Sequence, residues 1–67
     1  MEISARNQLK GRVKSVKLGT LMAEVVVDVS GTEVVAAITR ASVERLGIKV
    51  GDEVSAIVKA TEVMIAK

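Results

Sequence analysis

Between Leu21 and Ser30 the chain alternates with period two. Leu21, Ala23, Val25, Val27 and Val29 fall on one side, Met22, Glu24, Val26, Asp28 and Ser30 on the other. A helix, at 3.6 residues per turn, would scatter the first set around its axis; a pleated strand gathers it on one face. The β-branched valines suit that pleated surface. The chain must therefore build a sheet with one strongly apolar face and one mixed face. Ser30-Gly31-Thr32 reads as a hairpin connection, and Glu33–Ile38, rich in Val and Ala, reads as the returning strand. Upstream, Lys10, Arg12 and Lys14 alternate with Leu9, Gly11 and Val13, predicting a strand over Leu9–Val16. Val16 and Leu18 then fall out of phase, which predicts a bulge or bend.

The period-two pattern stops at Thr39. The run Thr39–Gly47 predicts one short helix: Thr39 can cap its N-terminus, Val43 and Leu46 share a face, and Gly47 can end it. Ile48–Asp52 reads as a turn. Val54, Ala56 and Val58 then alternate with Ser55, Ile57 and Lys59 as a fourth strand, and Val63–Ala66 reads as a short fifth. There is no proline and no Ser/Gly-rich linker, so residues 1–67 are expected to form a single domain. The expected class is all-β: an OB-like five-stranded Greek-key barrel with one short helix between strands 3 and 4.

A domain of 67 residues buries only about 60% of the surface its unfolded chain exposes, and small domains usually need a staple. With no Cys and no His, disulfides, structural zinc, iron–sulfur ligation and Cys/His nucleophiles are excluded. Oligomerisation is the staple left. Hydrophobic residues make up 49% of the chain without a single Phe, Tyr or Trp, more apolar surface than so short a chain can hide alone. A homo-oligomer is expected. The net charge of +2 permits attraction of small anions and does not by itself imply nucleic acid. Met1-Glu2-Ile3-Ser4 has no basic start followed by an apolar run, and no stretch approaches the ~20 apolar residues that span a bilayer. A cytoplasmic protein with no membrane partner is expected.

The residues argue against catalysis. His, Cys and Tyr are absent, and Asp52-Glu53 is the only acidic pair, a turn rather than a cation site with its several close carboxylates. No catalytic residue and no metal ligand is assigned. A tetrahedral oxyanion, by contrast, accepts hydrogen bonds and needs many donors with one or two positive charges. Three segments offer them. Ser4-Ala5-Arg6-Asn7 supplies a hydroxyl, a guanidinium and amides before the first strand. Thr39 and Ser42 sit at the first turn of the expected helix, where the dipole favours negative charge. Lys59-Ala60-Thr61 brings an ammonium and a following turn of amides. Each also has an ordinary meaning: N-terminal surface, helix cap, solvated strand-end charge. Convergence of the three would make a site.

Ile3-Ser4-Ala5-Arg6-Asn7-Gln8-Leu9, with Gly11 behind it, resembles the opening of the molbindin, or Mop, family of small molybdate-binding proteins, once described as molybdenum-pterin binding. The resemblance continues through Ala23-Glu24-Val25-Val26, Ala36-Ala37-Ile38-Thr39, Ser42-Val43, Leu46-Gly47, Gly51-Asp52-Glu53-Val54 and Val58-Lys59-Ala60-Thr61-Glu62-Val63. It covers essentially the whole chain, the length of one Mop domain. It implies an OB-like fold, a hexamer arranged as a trimer of dimers, and molybdate or tungstate held as an intact oxyanion between subunits, with no catalytic cofactor. Carried over by motif, Ser4 and Arg6 would come from one subunit, and Thr39, Ser42, Lys59 and the amide of Ala60 would complete the pocket, at least partly from a neighbour. Some family members have Ser where this chain has Ala60, so one hydroxyl contact is lost and the amide remains. The implied role is intracellular molybdenum storage and homeostasis.

Two other readings stay open from the sequence. Lys10, Arg12, Lys14 and Lys17 form a basic stripe that could track phosphates in an OB-like nucleic-acid binder. Against it stands the absence of aromatics, since base stacking is worth ~1–3 kcal/mol per base in such binders. The same absence leaves a pterin nothing to stack on. The second reading is a regulatory or assembly module, because Mop-like domains also occur fused to transporter ATPases and transcriptional regulators.

Overall fold

The computed structural model describes residues 6–67. Strands β1 (Asn7–Leu18), β2 (Met22–Val29) and β3 (Thr32–Thr39) are followed by helix α1 (Arg40–Leu46), strand β4 (Glu53–Val58) and a 3₁₀ turn over Ala60–Glu62. The strands form one antiparallel sheet in the order β3-β2-β1-β4. The helix lies between the third and fourth strands, as its capping pattern predicts.

The alternation in β2 places Ala23, Val25 and Val27 on the buried face, and they meet Val13 of β1 and Val43 of α1. Val16, Val29, Ala36, Ile38, Ile48 and Val54 pack around this centre while keeping some exposure. At the β2–β3 hairpin, Ser30 and Gly31 both take positive φ (50° and 90°), the conformation of the two-residue turn whose twist matches that of the strands. The Gly31 amide donates to Asp28 Oδ1 at 3.0 Å, tying the turn to its own strand.

Two expectations need correction. The bulge comes earlier than the sequence phase suggests. Val13 pairs with Val27 and Ser15 with Val26, so Lys14 is the extra residue. One inserted residue turns both Val13 and Val16 inward, and the period-two pattern resumes beyond it. The fifth strand at Val63–Ala66 is absent among the described residues: the chain passes from β4 through the 3₁₀ turn into a tail, Val63–Lys67, that pairs with nothing. Among the described residues the sheet is accordingly open, with β3 and β4 as its edges. A period-two run shows that a segment suits a strand and leaves its partner unnamed.

Helix α1 is short and fully capped. Thr39 Oγ1 accepts the Ser42 amide at 3.1 Å. At the other end Gly47 adopts the left-handed conformation (φ 64°), and the Ile48 amide donates to Val43 O at 3.1 Å, closing the last turn. Val43 is buried, whereas Leu46, expected to share its face, is 65% exposed. No helix among the described residues is long and apolar enough to cross a membrane.

Candidate oxyanion site

The five expected donors among the described residues lie at two places in the fold, and the register of β1 decides which belong together. Asn7 pairs with Val58. The ladder ends there; Arg6 precedes β1 by one residue and Lys59 follows β4 by one, so both lie at the same end of the β1–β4 pair. Both side chains belong to exposed residues. Among the described residues no ion pair engages either one. Ala60 opens the 3₁₀ turn, in which the Glu62 amide donates to Lys59 O at 2.8 Å and the Val63 amide to Ala60 O at 3.4 Å. The first amides of such a turn, here Ala60 and Thr61, have no partner within it. Two cations and two amide donors thus share one end of the sheet. Ser4 lies outside the described residues.

Thr39 and Ser42 lie at the far end of β1. Leu18 pairs with Ala23 of β2, and Met22 with Thr39 of β3. Arg40 holds the helix there through its amide to Leu21 O at 2.9 Å and its guanidinium to Gly19 O at 3.3 Å. Arg6 to Leu18 is roughly 40 Å of strand contour at ~3.3 Å per residue, shortened by coiling in a molecule whose longest extent is 34 Å. Within one chain, the Thr39–Ser42 pair and the Arg6–Lys59 pair do not meet.

The first turn of α1 also has fewer free donors than its dipole suggests. The Arg40 amide is bonded to Leu21 O and the Ser42 amide to Thr39 Oγ1. Thr39 Oγ1 donates its own proton to Ser42 Oγ at 2.7 Å. That arrangement leaves the Ser42 hydroxyl proton as the outward donor, polarised by the bond its oxygen accepts. Thr39 positions Ser42 more than it offers a bond of its own.

Two of the four cations of the basic stripe on β1, Arg12 and Lys14, bond within the protein. Lys14 Nζ donates to Glu33 Oε2, and Arg12 Nη1 donates to Gly51 O at 2.9 Å. The hydrogen bond from Lys14 to Glu33, and then the nearby Glu33 charge, hold the Lys14 ammonium above the ordinary lysine range. The open pockets beside the stripe also contain Asp28, Glu33 and Glu53, so cations and carboxylates are interleaved. No group of acidic side chains able to hold a metal ion occurs among the described residues. The sequence pattern missed one feature: an apolar cleft of ≈ 250 Å³ between β3 and β4, lined among others by Val34, Ala36, Ile38, Leu46, Val54 and Ile57. The alternation in both strands foretells its walls, while the open edge between them appears only in three dimensions.

Comparison with known proteins agrees along the whole chain. The TOBE domain family matches residues 3–65. Molybdenum-pterin-binding protein 2 of Clostridium pasteurianum is 52% identical over 66 residues, covering 97% of each chain. A probable molybdenum-pterin-binding protein of Haemophilus influenzae is 47% identical, covering 97% of this chain and 96% of that one. Among solved structures, a molybdate-binding protein from Sporomusa ovata superposes with a TM-score of 0.97 at 52% identity, covering all of both chains. MopII from Clostridium pasteurianum gives 0.92 at 49% identity, covering 98% of this chain and all of the other. The chain belongs to the TOBE domain family and, within it, to the small molybdenum-pterin-binding (Mop) proteins.

Proposed function

We propose that this protein binds molybdate, or the similar tungstate, as an intact oxyanion, and that it stores and buffers molybdenum in the cytoplasm without catalysing a reaction. The observation that carries this reading is the agreement in sequence and backbone, over the whole chain, with a molybdate-binding protein. A cytoplasmic molybdate-binding protein, ModG, solved with molybdate bound, is similar as well, with a TM-score of 0.85 at 41% identity; this chain spans 43% of its length.

The pocket is composite. Arg6, Lys59 and the Ala60 amide at one end of β1 supply charge and donors, Ser42 with its positioning partner Thr39 adds a hydroxyl from the other end of a second copy, and Ser4 completes the Arg6 side. The separation of the two donor groups within one chain supports that division. The assembly is a homohexamer, a trimer of dimers of OB-like domains. Binding through hydrogen bonds alone needs no protein–metal bond, and discrimination against sulfate then rests on cavity size, since charge and shape are alike. The nucleic-acid reading loses its basis where Lys14 and Arg12 are already engaged.

Calorimetric titration tests the proposal. Molybdate is expected to bind tightly to the native oligomer, sulfate and phosphate weakly. Arg6→Ala and Lys59→Ala are each expected to weaken binding by at least tenfold, since each removes a charge-assisted bond worth about 1.5–3 kcal/mol. Absence of heat with molybdate and tungstate, or unchanged affinity in both variants, would contradict it.

A further inference from the structure

In the composite pocket the end that carries Ser42 needs a source of positive potential, and helix α1 itself is a poor one. The Arg40 amide is bonded to Leu21 O and the Ser42 amide to Thr39 Oγ1, so the helix terminus has little left to offer an anion. Arg6 and Lys59 lie at the opposite end of β1. A charge does stand here, in an unusual place. Acidic side chains are favoured in the first turn of a helix and basic ones in the last. Arg45 follows that rule in the last turn of α1, but the first turn holds no acidic residue and begins with Arg40. A local preference broken in this way marks a position shaped by something other than the fold.

The Arg40 charge is held in place and only lightly opposed. Its guanidinium donates through Nη1 to Gly19 O at 3.3 Å and its amide to Leu21 O at 2.9 Å, so the residue is pinned to the β1–β2 turn. The carboxylate facing it, Glu44 Oε2, stands 3.5 Å from Nε, and both side chains are substantially exposed. An exposed i,i+4 pair of that length cancels little charge. Lys14, by contrast, closes on Glu33, and Lys17 stands opposite Glu24 in the β1–β2 ladder. We propose that Arg40 is a third positive charge of the oxyanion pocket: pinned to the β1–β2 turn, it favours a dianion at the Ser42 hydroxyl through space, and Glu44 attenuates it. Residues two apart on a helix point to different sides, so Arg40 acts by its field and not by a bond to the anion that Ser42 holds. The inference rests on the anion reading and adds to it a charge on the copy that supplies Ser42.

Molybdate titration of the native oligomer tests it, with circular dichroism and sedimentation to show that each variant keeps its fold and assembly. Arg40→Gln should weaken binding by roughly three- to tenfold, as expected for one partly exposed charge near a helix terminus, and Arg40→Lys should restore most of the loss. Glu44→Gln should tighten binding by roughly twofold, whereas a purely structural role for the Arg40–Glu44 pair would have it weaken. Arg45→Gln removes the same charge from the other end of α1 and should leave the affinity unchanged. The gap between the native protein and Arg40→Gln should also narrow as salt rises, because exposed charges are screened beyond about 8 Å at physiological ionic strength and beyond about 3 Å at 1 M. Weaker binding in Glu44→Gln, or a loss in Arg45→Gln as large as that in Arg40→Gln, would overturn the proposal. Native binding left untouched by Arg40→Gln would overturn this inference alone. A native protein that binds neither molybdate nor tungstate would overturn the anion reading and this inference together.

Discussion

Gly11 shows how far a single residue can constrain the fold. A Cβ built there would lie 2.5 Å from Asp28 O, 2.7 Å from Val27 Cγ1 and 2.9 Å from Val29 Cγ2. The nearest of these is backbone and cannot rotate away. Gly11→Ala is therefore expected to destabilise the protein by about 1–3 kcal/mol, the usual cost of overpacking, read as a lower midpoint in urea. An unchanged midpoint would mean that β1 and β2 separate there at little cost. Lys14 supplies a prediction in pH. Its pKa is raised on folding, chiefly by the hydrogen bond to Glu33. The stabilisation from that pair is therefore fully present below the unfolded value of ~10.4 and is lost as pH rises through the higher folded value. Side-chain NMR should show Lys14 titrating above the ordinary lysine range, and Glu33→Gln should return it there. A Lys14 titration unmoved by Glu33→Gln would contradict the pairing. The sequence showed the charge of Lys14 and placed it in a strand facing out. Glu33, 19 positions away, became its partner only once the β2–β3 hairpin returned the chain.

The elements were legible where the signal was local. Three strands, the helix with both caps and the fourth strand follow from alternation, Thr39, Gly47 and the Ser30-Gly31 turn. The signals that failed were relational. The bulge at Lys14 depends on how β1 registers against β2, and the last apolar run depends on which edge it can reach. The candidate site divides the same way: the donors could be named from chemistry and family resemblance, but only the register puts Arg6 and Lys59 at one end of β1 and Thr39 at the other. Helix α1 offers a test at this scale. Thr39→Ala removes the acceptor of the Ser42 amide and should cost about 1 kcal/mol of stability. It should also weaken molybdate binding, because Ser42 loses the bond that orients it. Thr39→Ser keeps the hydroxyl and should preserve both. Loss of stability with unaltered affinity would reduce Thr39 to a cap alone.

At the scale of the whole molecule, the dominant fact is a small core. Among the described residues the buried apolar ones are Val13, Ala23, Val25, Val27 and Val43, while Leu21, Leu46, Val50, Met64 and Ile65 remain well exposed. In the proposed oligomer a chain of this size with so few buried side chains would gain much of its stability from association, and its unfolding should then depend on protein concentration. The proposed ligand belongs to the same account, since its candidate donors lie at opposite ends of β1 in one copy. Native mass spectrometry of the protein with molybdate tests this most directly. The account predicts molybdate mass additions on oligomeric ions and none on monomer ions sprayed from the same solution, with the additions lost in Lys59→Ala. Molybdate retained on monomers as often as on oligomers would contradict it, because a single chain would then hold the complete site.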